Sequence, residues 1–359
     1  MKNKAKFLNL IIAATLLTGN AFAGNEDRSG QAGAPELLIN PWARSSGWGS
    51  VNIAGVRGLE GQFLNVAGTA FTKKTEILFS HTNYLQGTGI NLNTFGFSQK
   101  VGASGVLALG VMSMNFGDIQ VTTTEMPEGG LGTYPINFLT VGLSYAKGFT
   151  DHIYGGLCVK GVNEQIPDAK AAALALDAGI QYLSGKNNRT KFGISLKNVG
   201  PKMQYRGDGL AGKVVNVNNQ SSYNLSQQSE SFEMPSQLNI GGSYDIFLDG
   251  LDSVYSHKIT IAAAFVANSF TKDEVRLGLQ YAFKSYFMLR GGYIYEKGIG
   301  TDDDAKDAFR TTVNKGLSAG FTFEIPLNKE KGSSFGLDYS YRVTKPFNGT
   351  HSFGVRMSL

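Results

Sequence analysis

Apolar and polar residues alternate with a period of two along most of the chain after residue 74. In one stretch Val275, Leu277 and Leu279 share one face, whereas Glu274 and Arg276 share the other. Successive side chains of a β-strand point to opposite faces, so this pattern predicts strands that each have one apolar and one polar face. The predicted strands are fourteen segments: 75–85, 89–101, 104–116, 136–149, 151–163, 171–183, 189–199, 236–247, 257–267, 273–284, 285–296, 314–325, 333–343 and 350–359.

The length of these segments distinguishes two all-β folds. Alternation alone fits a soluble sandwich, whose apolar faces meet in a core, and also a membrane barrel, whose apolar faces meet lipid. Most segments run for 10–13 residues, whereas soluble strands average about five or six residues and a tilted membrane strand needs about 9–11. The even number of long strands predicts a transmembrane antiparallel β-barrel of 14 strands in residues 74–359.

The connections between the predicted strands are unequal in length. The three longest, 117–135, 200–235 and 297–313, all follow odd-numbered strands, whereas tight turns such as 101–104 follow even-numbered strands. Long loops on one side and short turns on the other are typical of outer-membrane barrels with periplasmic termini. The final residues, 352–359, also resemble the C-terminal signal of outer-membrane barrels, with Leu in place of the commoner terminal Phe.

The first 23 residues predict a targeting segment. Three lysines stand within the first six positions, an apolar run covers 8–17, and Ala21-Phe22-Ala23 has the small residues of a cleavage site. This pattern is that of a secretory signal peptide, and the apolar run is too short for a membrane-spanning helix. We therefore predict a signal peptide in residues 1–23, cleaved after Ala23, and export to the outer membrane of a Gram-negative bacterium.

Residues 24–73 lie between the signal peptide and the first strand, and they are rich in Gly and contain both tryptophans, Trp42 and Trp48. A fourteen-stranded barrel is wide enough to enclose such a segment. Charged side chains on the inward strand faces need partners there. These inward residues are Asp177, Lys191, Lys197, Gln237, Asp245, Glu274, Arg276, Arg290, Asp338, Arg342 and Arg356. We predict that residues 24–73 form an N-terminal periplasmic or plug segment inside the barrel.

Composition and charge exclude several classes of function. The chain has 359 residues with one Cys, which rules out an internal disulfide framework and thiolate metal sites. The net charge of +5 is small, and the signal segment carries three of the lysines, so nucleic-acid binding is not indicated. By strand parity Cys158 points inward. No cofactor is predicted.

Little in the sequence indicates catalysis. The four histidines are widely spaced, and Ser80 and His81 are neighbours on a strand, so they point to opposite faces. A hydrolase assembled from distant residues stays an alternative. Asp302, Asp303, Asp304 and Asp307 form an acidic loop that is either a calcium site or a solvated acidic stretch, and it lacks the spacing of an EF-hand. We predict no catalytic or metal-binding residues and no enzymatic activity.

Several short motifs give the chain a family resemblance. Their residues are Ile39-Asn40-Pro41-Trp42-Ala43-Arg44 with Gly47 and Gly49, Asn65-Val66-Ala67-Gly68, Phe116-Gly117-Asp118-Ile119, Ser144-Tyr145-Ala146-Lys147, Lys197-Asn198-Val199-Gly200-Pro201 and Leu289-Arg290-Gly291-Gly292-Tyr293. In this order they resemble the PorV/PorQ family of the bacterial type IX secretion system, within the wider FadL-like group. Val66 departs from that family, which has Pro there.

The resemblance implies a non-enzymatic barrel that binds type IX translocon or attachment-complex proteins and the C-terminal signal domains of secreted cargo, besides outer-membrane lipid. Exposed aromatic and Met side chains of the long loops are the candidate contacts, since such side chains are favoured at interfaces. These candidates are Met126, Pro127, Tyr134, Met203, Tyr205, Tyr223 and Phe309. The alternative is a FadL-like transporter of long-chain fatty acids or other hydrophobic small molecules across the outer membrane.

Overall fold

The computed structural model of the chain describes residues 28–215, 221–249, 256–299, 312–328 and 332–359. These residues form sixteen strands and several short helices. The strands are β1 Thr75–Asn83, β2 Asn91–Val101, β3 Gly105–Gln120, β4 Thr133–Gly148, β5 Ile153–Ile166, β6 Ala169–Ser184, β7 Thr190–Val199, β8 Ala211–Val215, β9 Ser222–Ser226, β10 Gln237–Phe247, β11 His257–Asn268, β12 Glu274–Phe283, β13 Phe287–Glu296, β14 Asn314–Asn328, β15 Ser333–Thr344 and β16 Thr350–Ser358.

Fourteen of the strands close into one antiparallel barrel. Each strand pairs with its neighbours in chain order, and β1 closes the ring by pairing with β16, where Leu78 lies opposite Arg356. β7 pairs directly with β10 because β8 and β9 form a separate two-stranded sheet. The predicted 14-stranded antiparallel barrel is therefore confirmed.

The two faces of the barrel wall are inverted relative to a soluble protein. Leu157 and Leu174 are 66% and 63% exposed on the outside, whereas Asp177 and Lys197 are only 2% and 4% exposed on the inside. Leaving a large apolar side chain in water costs roughly 1.5–3 kcal/mol relative to burying it. The outer face carries many such side chains along all the barrel strands, so lipid is the medium that it fits.

The first described residues, 28–73, form a segment that is largely buried. It contains two short 3₁₀ helices, Pro35–Leu38 and Val66–Phe71, and two single-turn α-helices, α1 Ala43–Ser46 and α2 Gly61–Leu64. No helix in the described part of the chain is long and apolar enough to cross a bilayer. We call residues 28–73 the N-terminal segment. The predicted signal peptide, residues 1–23, lies outside the described residues.

Hydrogen bonds connect the N-terminal segment to the inner faces of the strands. The Asn65 side-chain amide donates to the carbonyl oxygens of Ile180 and Ile194 at 3.0 and 3.3 Å. The amide of Gln62 donates to Gly142 O at 2.9 Å, and the Ser195 hydroxyl donates to Leu64 O at 2.8 Å. Irregular backbone inside a barrel must satisfy its polar groups locally, and these contacts do so.

Glycine allows the N-terminal segment to approach the wall closely. A Cβ added at Gly292 of β13 would lie 2.6 Å from the backbone of Trp48, and one added at Gly47 would lie 2.9 Å from Gly320. Those distances are too short for any larger residue without movement of the backbone. The glycines of both partners therefore set the position of the segment against β13 and β14.

The two ends of the barrel differ. The end reached by connections after odd-numbered strands carries 121–132, 200–236 and 297–313, and we call it the long-loop end. The other end carries mostly tight connections, such as 102–104 and 284–286, and we call it the short-turn end. This asymmetry matches the expected loop pattern, with β8 and β9 as an unexpected hairpin within the connection 200–236.

Candidate functional site

A cavity of about 550 Å³ lies at the long-loop end, between the start of the N-terminal segment and the inner wall. Its volume falls within the range of small-molecule sites. Residues on its boundary come from the segment, from the first loop, and from the ends of strands on both sides of the barrel. We call it the long-loop cavity.

One side of the long-loop cavity is apolar. Ile39 of the N-terminal segment meets Tyr84 and Ile90 of the first loop, and Phe116 and Phe138 stand on β3 and β4. The two phenylalanine rings pack edge to face with their centroids 4.8 Å apart, a geometry that aromatic pairs favour. These side chains provide a rigid surface for a hydrocarbon group.

The opposite side of the cavity is polar and charged. Arg276 donates to Glu274 at 2.7 Å, so these two side chains neutralise each other. Gln237 donates to Asn268 at 2.7 Å. Arg342 also lines the cavity, and no described residue accepts a hydrogen bond from it or forms an ion pair with it. The cavity therefore has an apolar wall on one side and, on the other, an arginine without a hydrogen-bond or ion-pair partner in the described part of the chain.

Glu36 contributes an acidic group to the boundary of the cavity. Its carboxylate is 1% exposed, and neither oxygen has a hydrogen-bond partner among the described residues. Burial, and then the nearby Glu164 carboxylate, raise the pKa of Glu36 from 4.5 to about 8. Glu36 is therefore neutral over most of the acidic range, which removes the cost of an unpaired buried charge.

A layer of charged side chains lies deeper in the barrel. Arg356 donates to Glu324 at 3.2 Å and lies 3.8 Å from Glu60 of the N-terminal segment. Arg290 donates to the Thr322 hydroxyl at 2.8 Å, and that hydroxyl in turn bonds to the carboxylate of Asp338. Opposite charges are close enough here to offset the cost of burying them. All the inward charges expected from the sequence are buried or half-buried.

Two of the predicted partner-contact residues are not presented to solvent. Met203 is completely buried against Leu37 and Val162, because the connection after β7 folds inward and pairs Met203 with Phe232. Tyr205 is half-buried, and its hydroxyl donates to Glu164. The expectation of an exposed loop contact is therefore corrected for these two residues.

The other predicted contacts are divided between three loops. Met126 and Tyr223 are 45% and 51% exposed, Pro127 is exposed, and Tyr134 is half-buried on β4. Phe309 lies outside the described residues. The role of these side chains as partner contacts stays a prediction.

The acidic loop and the histidines add no site. Asp302, Asp303, Asp304 and Asp307 lie outside the described residues. Among the described contacts, the rings of His81, His257 and His351 bond to amide or phenol oxygens and none bonds to a Ser or Cys. These rings therefore do not form a nucleophile–base pair.

Sequence reasoning missed the long-loop cavity. On β4, Ile136 and Phe138 are inward apolar positions close to the long-loop end, and the inward residues after them include Thr140 and Ser144. The neighbouring inner face of β3 is apolar as well, at Met114. A local run of inward apolar residues at one end of several strands was the signal available. It becomes visible only once strand parity is fixed by a known register.

Comparison with solved structures identifies similar folds. The toluene transporter TodX of Pseudomonas putida has a TM-score of 0.52 and 11% identity, and the toluene transporter TbuX of Ralstonia pickettii has a TM-score of 0.51 and 13% identity. The monoaromatic hydrocarbon channel CymD has a TM-score of 0.50 and 13% identity. Each match covers 89% of this chain and 97% of the other.

At this identity the likeness establishes the barrel fold and nothing finer. No protein-family model matches the chain, and no curated protein matches its sequence. The fold is thus similar to that of barrels described as transporters and channels, and the proposed function must rest on the residues of this chain.

Proposed function

We propose that this protein binds hydrophobic or amphipathic small molecules in the long-loop cavity and passes them across the outer membrane. The observation that carries the proposal is the cavity itself, about 550 Å³ with an aromatic and aliphatic wall. The fold likeness to barrels described as hydrocarbon transporters and channels supports the same class. This proposal favours the FadL-like alternative over the function implied by the PorV/PorQ resemblance.

The composition of the wall indicates the substrate class. Phe116, Phe138 and Ile39 offer apolar surface, and burial of apolar area contributes roughly 25 cal/mol for each Å² removed from water. Arg342 on the opposite side has no described partner. A ring or acyl chain fits the first side, and one polar or anionic end fits the second. Long-chain fatty acids meet both parts of this description, and simple aromatic hydrocarbons meet the first part.

The N-terminal segment would act as the plug in this function. It lies on the inner side of the cavity, and its hydrogen bonds to β6 and β7 hold it in place. A solute that leaves the cavity toward the short-turn end must pass the segment or displace it. Both tryptophans of the chain are in this segment, so tryptophan fluorescence reports on its position.

Direct binding to the purified protein in lipid nanodiscs tests the proposal. We expect saturable binding of radiolabelled toluene or laurate, and about tenfold weaker binding by Phe138→Ala, because the lost ring contacts correspond to about 1.4 kcal/mol. Leu139→Ala is the matched control, since Leu139 is the next residue of β4 and is 39% exposed on the lipid side. Absence of saturable binding for both probes would contradict the proposal.

Recognition of secreted proteins stays a second candidate, on a different surface. The β8–β9 hairpin presents Val214, Val215, Tyr223 and Leu225, each between 46% and 56% exposed. Deletion of residues 211–226 would abolish capture of a type IX C-terminal signal domain if this hairpin is the contact, while toluene binding would be unchanged. Equal capture by the deleted and intact proteins would count against it.

A further inference from the structure

A second cavity, of about 270 Å³, lies at the short-turn end. Asn187 and Asn188, which belong to the turn between β6 and β7, stand at its boundary. Its other walls are the N-terminal segment and the inner faces of β10 to β13. We call it the short-turn cavity. Nothing in the proposed transport of hydrophobic molecules uses it.

The lining of the short-turn cavity has an excess of positive charge. Two acidic side chains, Glu60 and Asp245, stand on its boundary. Five basic side chains line it: Arg44, Arg57, Lys191, Lys258 and Arg290. The formal excess among the lining residues is therefore three positive charges, although Arg57 is exposed and Asp338 lies behind Arg290. An anion that enters the cavity is attracted by this excess.

The two acidic groups are already engaged. Asp245 lies 2.6 Å from the Lys191 ammonium and 3.9 Å from that of Lys258. Glu60 faces Arg356, at 3.8 Å. Neither carboxylate lies within ion-pair distance of Arg44 or Arg57 among the described contacts. Glu60 and Asp338 act on Arg44, and Asp245 acts on Arg57, from a longer distance. These two guanidinium groups therefore lie near carboxylates but form no direct ion pair with one in the described part of the chain.

Arg44 and Arg57 make only weak contacts of other kinds. Arg44 donates to the sulfur of Met288 at 3.0 Å. The Arg57 guanidinium lies 4.1 Å from the ring centroid of Phe71, in a cation–π contact. A thioether is a poor hydrogen-bond acceptor, and a cation–π contact does not use the N–H groups of the guanidinium. Most N–H donors of the two guanidinium groups therefore stay available for another acceptor.

We propose that the short-turn cavity binds a small oxyanion of the phosphate type, with two or more negative charges. Arginine forks bind such oxygens in pairs, and Lys258 adds a point charge. Trp48 also lines the cavity, and its indole N–H has no hydrogen-bond partner among the described residues. The anion bridges the N-terminal segment, which carries Arg44 and Arg57, and the barrel wall, which carries Arg290.

This bridge has a structural consequence. The basic groups of the N-terminal segment and of the wall repel each other when no anion is bound, and a shared anion converts that repulsion into attraction. A ligand that binds only the folded arrangement stabilises it in proportion to its occupancy. Anion binding therefore holds the segment against β11 to β13 whether or not the long-loop cavity contains a solute.

Binding of inorganic phosphate to the full-length mature protein in nanodiscs tests the proposal. Equilibrium dialysis with radiolabelled phosphate is expected to show one saturable site with a dissociation constant on the order of 0.1–1 mM. Glycerol phosphate tests whether an ester is accepted, and sodium chloride at equal ionic strength controls for screening. Trp48 lines the cavity, so phosphate is also expected to shift the tryptophan emission and raise the midpoint of its thermal transition.

Matched variants decide whether the site is the one described. We expect Arg44→Gln and Arg57→Gln each to weaken phosphate binding about tenfold or more, as expected for a lost charged contact. Arg206→Gln makes the same change of charge on an exposed loop residue and is expected to leave the affinity unchanged. Equal phosphate affinities in all three variants would overturn the proposal. Absence of saturable binding up to about 10 mM phosphate, ten times the highest expected dissociation constant, would also overturn it.

One further pair of variants makes a conservative change in the turn between β6 and β7. Asn187 and Asn188 have φ angles of +56° and +54°, a backbone region that Asp tolerates as well as Asn. Asn187→Asp and Asn188→Asp place a negative charge at the boundary of the cavity, and each is expected to weaken phosphate binding roughly threefold. Unchanged or tighter binding in both would refute the location, even if toluene binding in the same preparations is normal.

Discussion

The two cavities of this barrel use opposite physical principles. The long-loop cavity has a wall of aromatic and aliphatic side chains, including Phe116 and Phe138, and a cation, Arg342, that has no hydrogen-bond or ion-pair partner among the described residues. The short-turn cavity is smaller and mostly polar, with five basic and two acidic side chains. The long-loop cavity suits an apolar molecule, whose transfer out of water is favourable. The short-turn cavity suits an ion, whose lost hydration must be replaced by charged side chains.

The N-terminal segment produces both cavities. Its first part, with Glu36 and Ile39, borders the long-loop cavity, and its later part, with Arg44, Trp48 and Arg57, borders the short-turn cavity. The charged layer around Arg356 lies deeper in the lumen. The difference between the two ends therefore depends on a short chain segment held in place by glycine contacts, hydrogen bonds and ion pairs.

The largest expected effect comes from the charged layer. Arg356→Leu removes a buried arginine that contacts Glu324 and Glu60, and the loss of a buried ion pair costs about 3–5 kcal/mol of unfolding free energy. Arg342→Leu, on the neighbouring strand, removes an arginine that has no described partner, so we expect a change below about 1 kcal/mol. Urea unfolding in detergent micelles measures both. Equal losses of unfolding free energy in the two variants would show that the ion pairs of Arg356 do not contribute to stability.

A smaller effect is expected from the acid beside the long-loop cavity. The pKa of Glu36 is about 8 in the folded protein, whereas its ordinary value is 4.5. Between pH 4.5 and 8 the folded protein therefore keeps a proton on Glu36 that the unfolded chain loses. The stabilisation is complete below pH 4.5 and is lost as the pH rises through 8. One pKa unit corresponds to about 1.4 kcal/mol, and with local rearrangement we expect a loss of about 2–4 kcal/mol.

Glu36→Gln isolates this group from the other titrating residues. The amide has no charge to bury, so the variant is expected to be more stable than the parent at pH 8.5 and nearly equal to it at pH 4.5. The midpoint of the tryptophan fluorescence transition, measured from pH 4.5 to 8.5, is the readout. Parallel pH profiles in the two proteins would mean that Glu36 is ionised and hydrated.

The barrel could be predicted from the sequence because the alternation of lipid-facing and lumen-facing residues repeats from strand to strand. In β12, Val275, Leu277 and Leu279 face lipid and Glu274 and Arg276 face the lumen, and most barrel strands follow the same rule. Among the ends of the barrel strands, the largest error is at β3, which extends to Gln120 beyond a bulge in its pairing with β4 after Asn115. A bulge breaks the parity on which the prediction depends.

An intermediate effect tests the close approach of the N-terminal segment. Gly292→Ala places a methyl group 2.6 Å from the backbone of Trp48, so the segment or β13 must move. We expect a loss of about 1–3 kcal/mol, typical of overpacking, with a shift of the tryptophan emission. Gly291→Ala is the control, because the nearest atom to its added methyl group is 3.9 Å away. Identical spectra and stabilities in both variants would place the segment elsewhere.

The two cavities could not be predicted from sequence in the same way. Arg44 and Arg57 lie in a segment without a repeating pattern, so neither their orientation nor their missing partners follow from the residue order. From the sequence, Met203 is expected to be an exposed contact because Met is favoured at interfaces. It is buried instead, because loop packing depends on residues distant in sequence, such as Val162. Sequence periodicity therefore fixes the wall, whereas the contents of the lumen depend on tertiary contacts.

The smallest expected effect separates the two cavities from each other. Phe116→Leu keeps an apolar side chain but loses the edge-to-face contact with Phe138, a contribution of about 0.5–1.5 kcal/mol. Toluene affinity is then expected to fall by about 2- to 10-fold, with phosphate affinity unchanged. Arg57→Gln is expected to weaken phosphate binding and leave toluene affinity unchanged, because Arg57 lines the short-turn cavity and not the long-loop cavity. If either variant weakened both ligands equally, the N-terminal segment would couple the two cavities, and they would have to be treated as one site.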